Sequence, residues 1–217
     1  MKKLLIVGTG DYAEMVFFYL KERYNIIGFS EELKFRVKDT FKGLPIFNLE
    51  DITGKFSNSE VKIFIAIGPN KVNTVRERIY TKMKTLNYTC IKFIHPKASV
   101  WDNDAIGDNS FIFPNAVVEP FAVVGNNCVL WTGAVLCHHS KLMDHNFMAP
   151  NSSVSGRTII HKNCFLGINS TVRDNIIVEE NCIIGAGSVI KKSTVKNGVY
   201  SSKGTSLYNL KSISTKV

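Results

Sequence analysis

Residues 124–154 read VGNNCVLWTGAVLCHHSKLMDHNFMAPNSSV, and an aliphatic side chain falls on every sixth position: Val124, Leu130, Leu136, Leu142, Met148 and Val154. The frame continues without a miss through Val118, Ile112, Ile106 and Val100 on one side. On the other it runs through Ile160, Leu166, Val172, Val178, Ile184 and Ile190. Val, Ile, Leu and Met make up roughly a third of an ordinary chain, so sixteen hits in succession are not chance. A second position keeps the same frame. Four residues after each aliphatic stands mostly a small side chain, as at Ser110, Ala116, Cys128, Ala134, Ser140, Ser152, Thr158, Cys164, Ser170, Cys182, Ser188 and Thr194. Gly-, Asn- and Asp-bearing corners separate the hits.

A period of six is neither the helical 3.6 nor the strand period of two. It is the signature of a parallel β-solenoid in which each hexad is one short strand plus a corner. The aliphatic points into the prism, the small residue fits beside it, and stacked coils satisfy one another's backbone groups. Three hexads close a coil, so the run makes about five coils. Here the sequence resembles the hexapeptide-repeat acyltransferases. That resemblance implies a left-handed parallel β-helix, assembly as a homotrimer, and acetyl-CoA lying along the solenoid between two subunits.

Residues 1–96 lack the hexad frame. Leu4 to Val7 predicts a strand, Ala13 to Arg23 a helix, Tyr24 to Phe29 a second strand, Lys62 to Ile67 a third, Val72 to Leu86 a helix and Tyr88 to Ile94 a last strand. This alternation predicts a small α/β, Rossmann-like domain over 1–96, then the β-helix over 97–195 and a tail over 196–217. Gly8-Thr9-Gly10-Asp11-Tyr12-Ala13 has the form GxGxxA, a strand-to-helix turn that lets a phosphate approach a helix N-terminus. Glu31 and Glu32 follow the second strand about twenty residues on, where an acidic side chain meets a ribose or base edge. With Gly68 and Asn70 after the third strand, Gly8, Gly10 and Asp11 are the expected substrate-binding residues.

The coupling of this domain to a hexapeptide solenoid resembles the sugar acetyltransferases that modify amino sugars of bacterial surface glycans and sialic acids. The matching stretches are Gly8 to Ala13, Gly28-Phe29, Gly43-Leu44-Pro45-Ile46, Ala66-Ile67-Gly68-Pro69-Asn70 and Asn163 to Ser170. The resemblance implies that His138, two residues after Leu136, is the general base. It implies too that Gly156, eighteen residues on, gives its N–H to the oxyanion and that Gly156, Ile168 and Ala186 line the CoA groove. Histidine suits the base because its pKa lies near the working pH, and a period of eighteen stacks Gly156 over His138. The family's acidic residue after the base is His139 here. Asp144 in the next hexad is the expected replacement. Phe147 stands where relatives carry a second histidine, and Ser202-Lys203-Gly204-Thr205-Ser206 lacks the proline and lysine that relatives place beside CoA. Trp131 and Phe147 are expected as exposed apolar corner residues of a trimer.

Other classes are weighed against this. The net charge of +9 comes from scattered lysines with no basic helix, which argues for phosphate-bearing small molecules over nucleic acid. No stretch approaches eighteen apolar residues, so no membrane span is expected. The five cysteines lack metal spacing, and three fill the small-residue slot, as in a reducing, cytoplasmic protein. A zinc site of three histidines, as in the gamma-class carbonic anhydrases, would need spacing that is absent here. No metal is expected. The reading is a transfer of acetyl from acetyl-CoA to the amine of a nucleotide-linked (dTDP, UDP or GDP) dideoxy amino sugar. An O-acetyltransferase acting on a sialic-acid-type sugar and a non-catalytic scaffold remain alternatives.

Overall fold

The computed structural model describes residues 2–203. The chain opens with a five-stranded sheet of β1 (Lys3–Val7), β2 (Asn25–Glu31), β3 (Thr40–Phe41), β4 (Leu44–Asn48) and β5 (Val61–Ile65), in the order β3-β4-β2-β1-β5. All neighbours are parallel except β3 and β4. Helix α1 (Asp11–Leu20) joins β1 to β2, α2 (Ile52–Lys55) joins β4 to β5, and α3 (Thr74–Thr85) follows β5. β2 and β5 flank β1 on opposite sides, so the strand order reverses at β1. The carboxyl ends of such strands open a crevice.

The expected last strand over Tyr88–Ile94 forms differently. Only a single bridge joins Ile63 to Cys90, and Phe93–Ile94 pairs instead with Phe111–Ile112 of the solenoid. Ile94 stands six residues before Val100 and so is already on the hexad frame, and its side chain packs in the solenoid core.

From there the chain winds as a three-sided left-handed β-helix with pairings eighteen residues apart. The first face stacks Phe111, Val129, Phe147, Phe165 and Ile183. The second stacks Val117, Val135, Ser153, Thr171 and Val189, and the third Val123, Lys141, Ile159 and Ile177. The aliphatics of the frame fill the interior. All are buried except Val100, which is half-buried at the open end. Asparagines take the left-handed backbone at most corners, among them Asn109, Asn127, Asn163 and Asn181, a conformation that costs Asn little. The solenoid runs past the expected end at 195, because Val199–Tyr200 adds a strand beside Ile183–Ile184.

The N-terminal domain sits on the first face. Tyr12 of α1 meets Phe111, Phe113, Trp131 and Phe147 with ring centroids 6.1–6.4 Å apart. Phe147 is therefore 6% exposed and Trp131 half-buried, so neither is an exposed trimer residue. Asn109 closes the sheet edge by accepting from Ile65 N–H at 2.7 Å and donating to Ile65 O. Fully buried Arg76 of α3 donates through Nη2 to Asn73 Oδ1, His145 O and Asn146 O. Asn73 Nδ2 donates to Cys164 O at 2.9 Å.

Candidate active site

Two regions carry the expected site residues. The first is the crevice at the carboxyl ends of β1, β2 and β5, about 800 Å³ in volume and lined by Gly8 to Tyr12, Ser30 to Glu32, Phe35, Gly68, Asn70 and Lys71 among others. Gly8 is required by geometry. Its φ is +125° and a Cβ there would stand 2.5 Å from Ala66 O. A Cβ on Gly10 or Gly68 would meet nothing within 4 Å, which leaves room for a ligand to approach the backbone. Gly10 is the N-cap of α1 and supplies no side chain. The first-turn N–H groups thus face the crevice with their partial positive charge. Asp11 stands exposed in that same turn.

The two acidic residues part company. Glu32 is bound at both oxygens by Arg78, at 3.0 and 2.7 Å, and that pairing holds its carboxyl below the usual range. Glu31 accepts Thr9 Oγ1 at 2.6 Å through Oε1, which leaves Oε2 for a ligand hydroxyl. Lys71 and Phe35, a cation and an aromatic ring on the crevice wall, were missed by sequence reasoning. Lys71 directly follows the Gly68-Pro69-Asn70 turn and was the findable one. It opens three successive left-handed residues, Lys71, Val72 and Asn73, with φ of 50°, 52° and 64°.

The second region is the corner between the second and third faces. His138 stands there, exposed, with its imidazole flat against the next coil. A Cβ on Gly156 would lie 2.5 Å from His138 Cε1 and 2.7 Å from Nε2. Glycine is required for the ring to occupy that place. Among the described residues no hydrogen bond uses the Gly156 N–H, although the coil is otherwise paired, with Arg157 N–H donating to His138 O at 3.0 Å. An imidazole and a buried N–H without a hydrogen-bond partner among the described residues thus meet one coil apart.

Asp144 does not orient His138. Its Oδ1 accepts Asn126 N–H at 2.7 Å, on the corner beside the N-terminal domain. One hexad is a third of a coil, so a residue six positions on stands at the next corner. The group that meets the imidazole is His139, with Nδ1 3.1 Å from His138 Nδ1. Glu119, also missed, accepts His138 N–H at 2.8 Å. It lies nineteen residues back, close to the coil repeat that had located Gly156. Ile168 and Ala186 stack on the third corner, where Gly187 N–H donates to Ile168 O at 2.9 Å. They are not beside Gly156 within one chain. Of Ser202 to Ser206, Ser202 Oγ donates to Ala186 O and residues 204–206 lie outside the described part.

The His138 corner is opposite the first face, which carries the N-terminal domain and its crevice. Within one chain the two regions point away from each other. Among the described residues no group of three His, Cys, Asp or Glu is placed to hold a metal, and no helix is long and apolar enough to cross a membrane.

Comparison with known proteins agrees with this architecture. Residues 3–83 match the PglD N-terminal domain, and residues 105–138 and 157–192 match the bacterial transferase hexapeptide (six repeats). The acetyltransferase domain of PglB from Neisseria gonorrhoeae superposes with a TM-score of 0.83 at 23% identity, over 93% of this chain and 97% of that one. A perosamine N-acetyltransferase variant from Caulobacter crescentus, in complex with CoA and GDP-perosamine, gives 0.80 at 19% over 94% and 98%. WeeI from Acinetobacter baumannii gives 0.78 at 16% over 92% and 96%. The chain thus carries a stretch matching the PglD N-terminal domain and two stretches matching the bacterial transferase hexapeptide, and it shares the fold of these three structures.

Proposed function

We propose that the protein is a cytoplasmic, homotrimeric N-acetyltransferase that moves acetyl from acetyl-CoA to the amine of a nucleotide-linked amino sugar for a bacterial surface glycan. What carries this reading is the pairing of a histidine ring with a free N–H one coil away. His138 Nε2 takes a proton from the attacking amine, and Gly156 N–H stabilises the oxyanion of the thioester carbonyl. The C–S bond breaks, and the CoA thiolate takes the amine's proton from the His138 imidazolium. The crevice supports a nucleotide-bearing substrate, because phosphates suit the α1 N-terminus and Glu31 suits a ribose hydroxyl.

A trimer reconciles the two distant regions. The second and third faces and the His138 corner carry the exposed apolar side chains Phe121, Val123, Ile177 and Val189. A neighbour packed there would bring its crevice toward His138. It would also bring the Ile168 and Ala186 corner toward Gly156, forming one groove for CoA. The relatives' complexes, acetyl coenzyme A with the gonococcal domain and GDP-perosamine with the Caulobacter enzyme, support the same substrate classes.

The test is thiol release from acetyl-CoA with a panel of dTDP-, UDP- and GDP-linked amino sugars. Release with one of them, lost in His138→Ala, is the expected result. Silence across the panel together with no binding of any free nucleotide sinks the reading. Sialic acid as the sole acceptor moves it to O-acetylation.

A further inference from the structure

His139 is an unusual occupant of its position. Its φ is +59°, a left-handed conformation that most corners of this solenoid give to asparagine or glycine. Its ring is fixed on one side by Phe121, the residue at the same position one coil earlier, with centroids 4.8 Å apart. On the other side its Nδ1 meets His138 Nδ1 at 3.1 Å. Two ring nitrogens at that distance share one hydrogen, so one imidazole donates and the other accepts.

We propose that His139 is the positioning residue of the base: it accepts the Nδ1–H of His138 and so leaves the His138 Nε2 lone pair free for the substrate amine. The inference rests on the acetyltransferase reading. The opposite tautomer, with His139 donating, would put the proton of neutral His138 on Nε2 and disable it as a base. The reaction adds one proton to His138 Nε2, and the imidazolium then donates from both nitrogens, one of them still to His139. The thiolate removes the Nε2 proton, so the pair ends as it began.

Glu119, on the preceding coil, accepts the His138 N–H, which fixes the corner and sets a carboxylate beneath it. It also faces the Cys137 thiol, which burial chiefly holds above its ordinary range with this carboxylate adding to the effect. Arg157 is at the equivalent position one coil on and Asp174 at the corner beyond it. Both are exposed.

The decisive series is His139→Asp, His139→Asn and His139→Gly, each in the full-length protein. Asn and Gly tolerate the left-handed backbone, so folding is preserved, and melting temperature checks it. Expected are a kcat lowered about tenfold or more in the glycine variant with the KM for acetyl-CoA unchanged. Asparagine should recover part of it. Aspartate, a stronger acceptor, should recover it fully and move the acid limb of the kcat/KM profile to higher pH. Nitrogen-15 NMR of the imidazoles reads the tautomer without substrate, and a proton on His138 Nδ1 is expected. A glycine variant with wild-type kcat and profile, aspartate no better than glycine, or a His138 proton on Nε2 each overturns the proposal. Activity that survives His138→Ala overturns instead the base assignment on which it stands.

Discussion

Two corners of the same prism hold the same repeat position and are occupied in opposite ways. Beside the N-terminal domain the left-handed residues are Asn109, Asn127, His145 and Asn163, all buried. They are hydrogen-bonded, Asn109 Nδ2 to Asn127 Oδ1 at 2.7 Å and Asn163 Nδ2 to Glu77 Oε2 at 2.6 Å. At the opposite corner the series is Phe121, His139, Arg157 and Asn175, all exposed. A left-handed residue that is neither Gly nor Asn costs about 1 kcal/mol or more, and here three coils in succession carry one. The first corner is built for stability and the second has given some of it up. Such concentrations of strain mark places where side chains act on something outside the chain.

The largest effect expected from breaking this contrast is at the seam. Phe147→Ala removes a buried ring from the aromatic cluster that joins the two domains and should cost about 3 to 5 kcal/mol, read by denaturant unfolding. Next is His138→Ala, which should leave unfolding within about 0.5 kcal/mol and lower kcat/KM about a hundredfold or more. Gly156→Ala should lose about tenfold or more in kcat because the added methyl displaces the imidazole. Gly10→Ala, with open space around it, should act on KM for the nucleotide sugar instead. If Gly156→Ala keeps full activity, the packing of His138 on that glycine has no catalytic role.

Smaller still is a pH effect confined to the buried corner. Burial holds the His145 imidazole below its ordinary pKa, with Glu77 pulling it partly back. The folded chain therefore binds fewer protons at this site than the unfolded chain. Stability is full above about pH 6.5, the ordinary histidine value, and falls as pH drops through it. His145→Asn, which matches the neighbouring coils, should remove this component from a series of melts between pH 7 and 5. The smallest effect is chemical. The Cys128 and Cys164 thiols are pushed up to about 12, mainly by burial, so alkylating reagents should leave them unmodified until the protein unfolds.

The hexad frame made the solenoid legible because each aliphatic has one place to go. It located the His138–Gly156 pairing for the same reason, since eighteen residues return the chain to the same corner. The frame also held an unread signal. Phe111, Val129, Phe147 and Phe165 form an apolar column at eighteen-residue spacing on one face only, and that column marks where the N-terminal domain docks. Asp144 failed because proximity in sequence is not proximity in a solenoid, where six residues lead to a different corner. Glu119 and the His139 contact depend on side-chain direction, which the repeat does not encode. In the N-terminal domain the glycine turn located the crevice. The diversion of Glu32 to Arg78 joins residues forty-six apart, and no local pattern announces it.

The crevice and the His138 corner face opposite ways on one chain, and this has a consequence for mixtures. If each reaction draws on two subunits, a chain with a ruined crevice and a chain lacking His138 are each inactive alone. Refolded together in equal amounts they should not be. Random trimers would place an intact crevice against an intact histidine at about a quarter of their seams. Two dead proteins would then yield a live one, with activity rising and falling as the ratio of the two is varied.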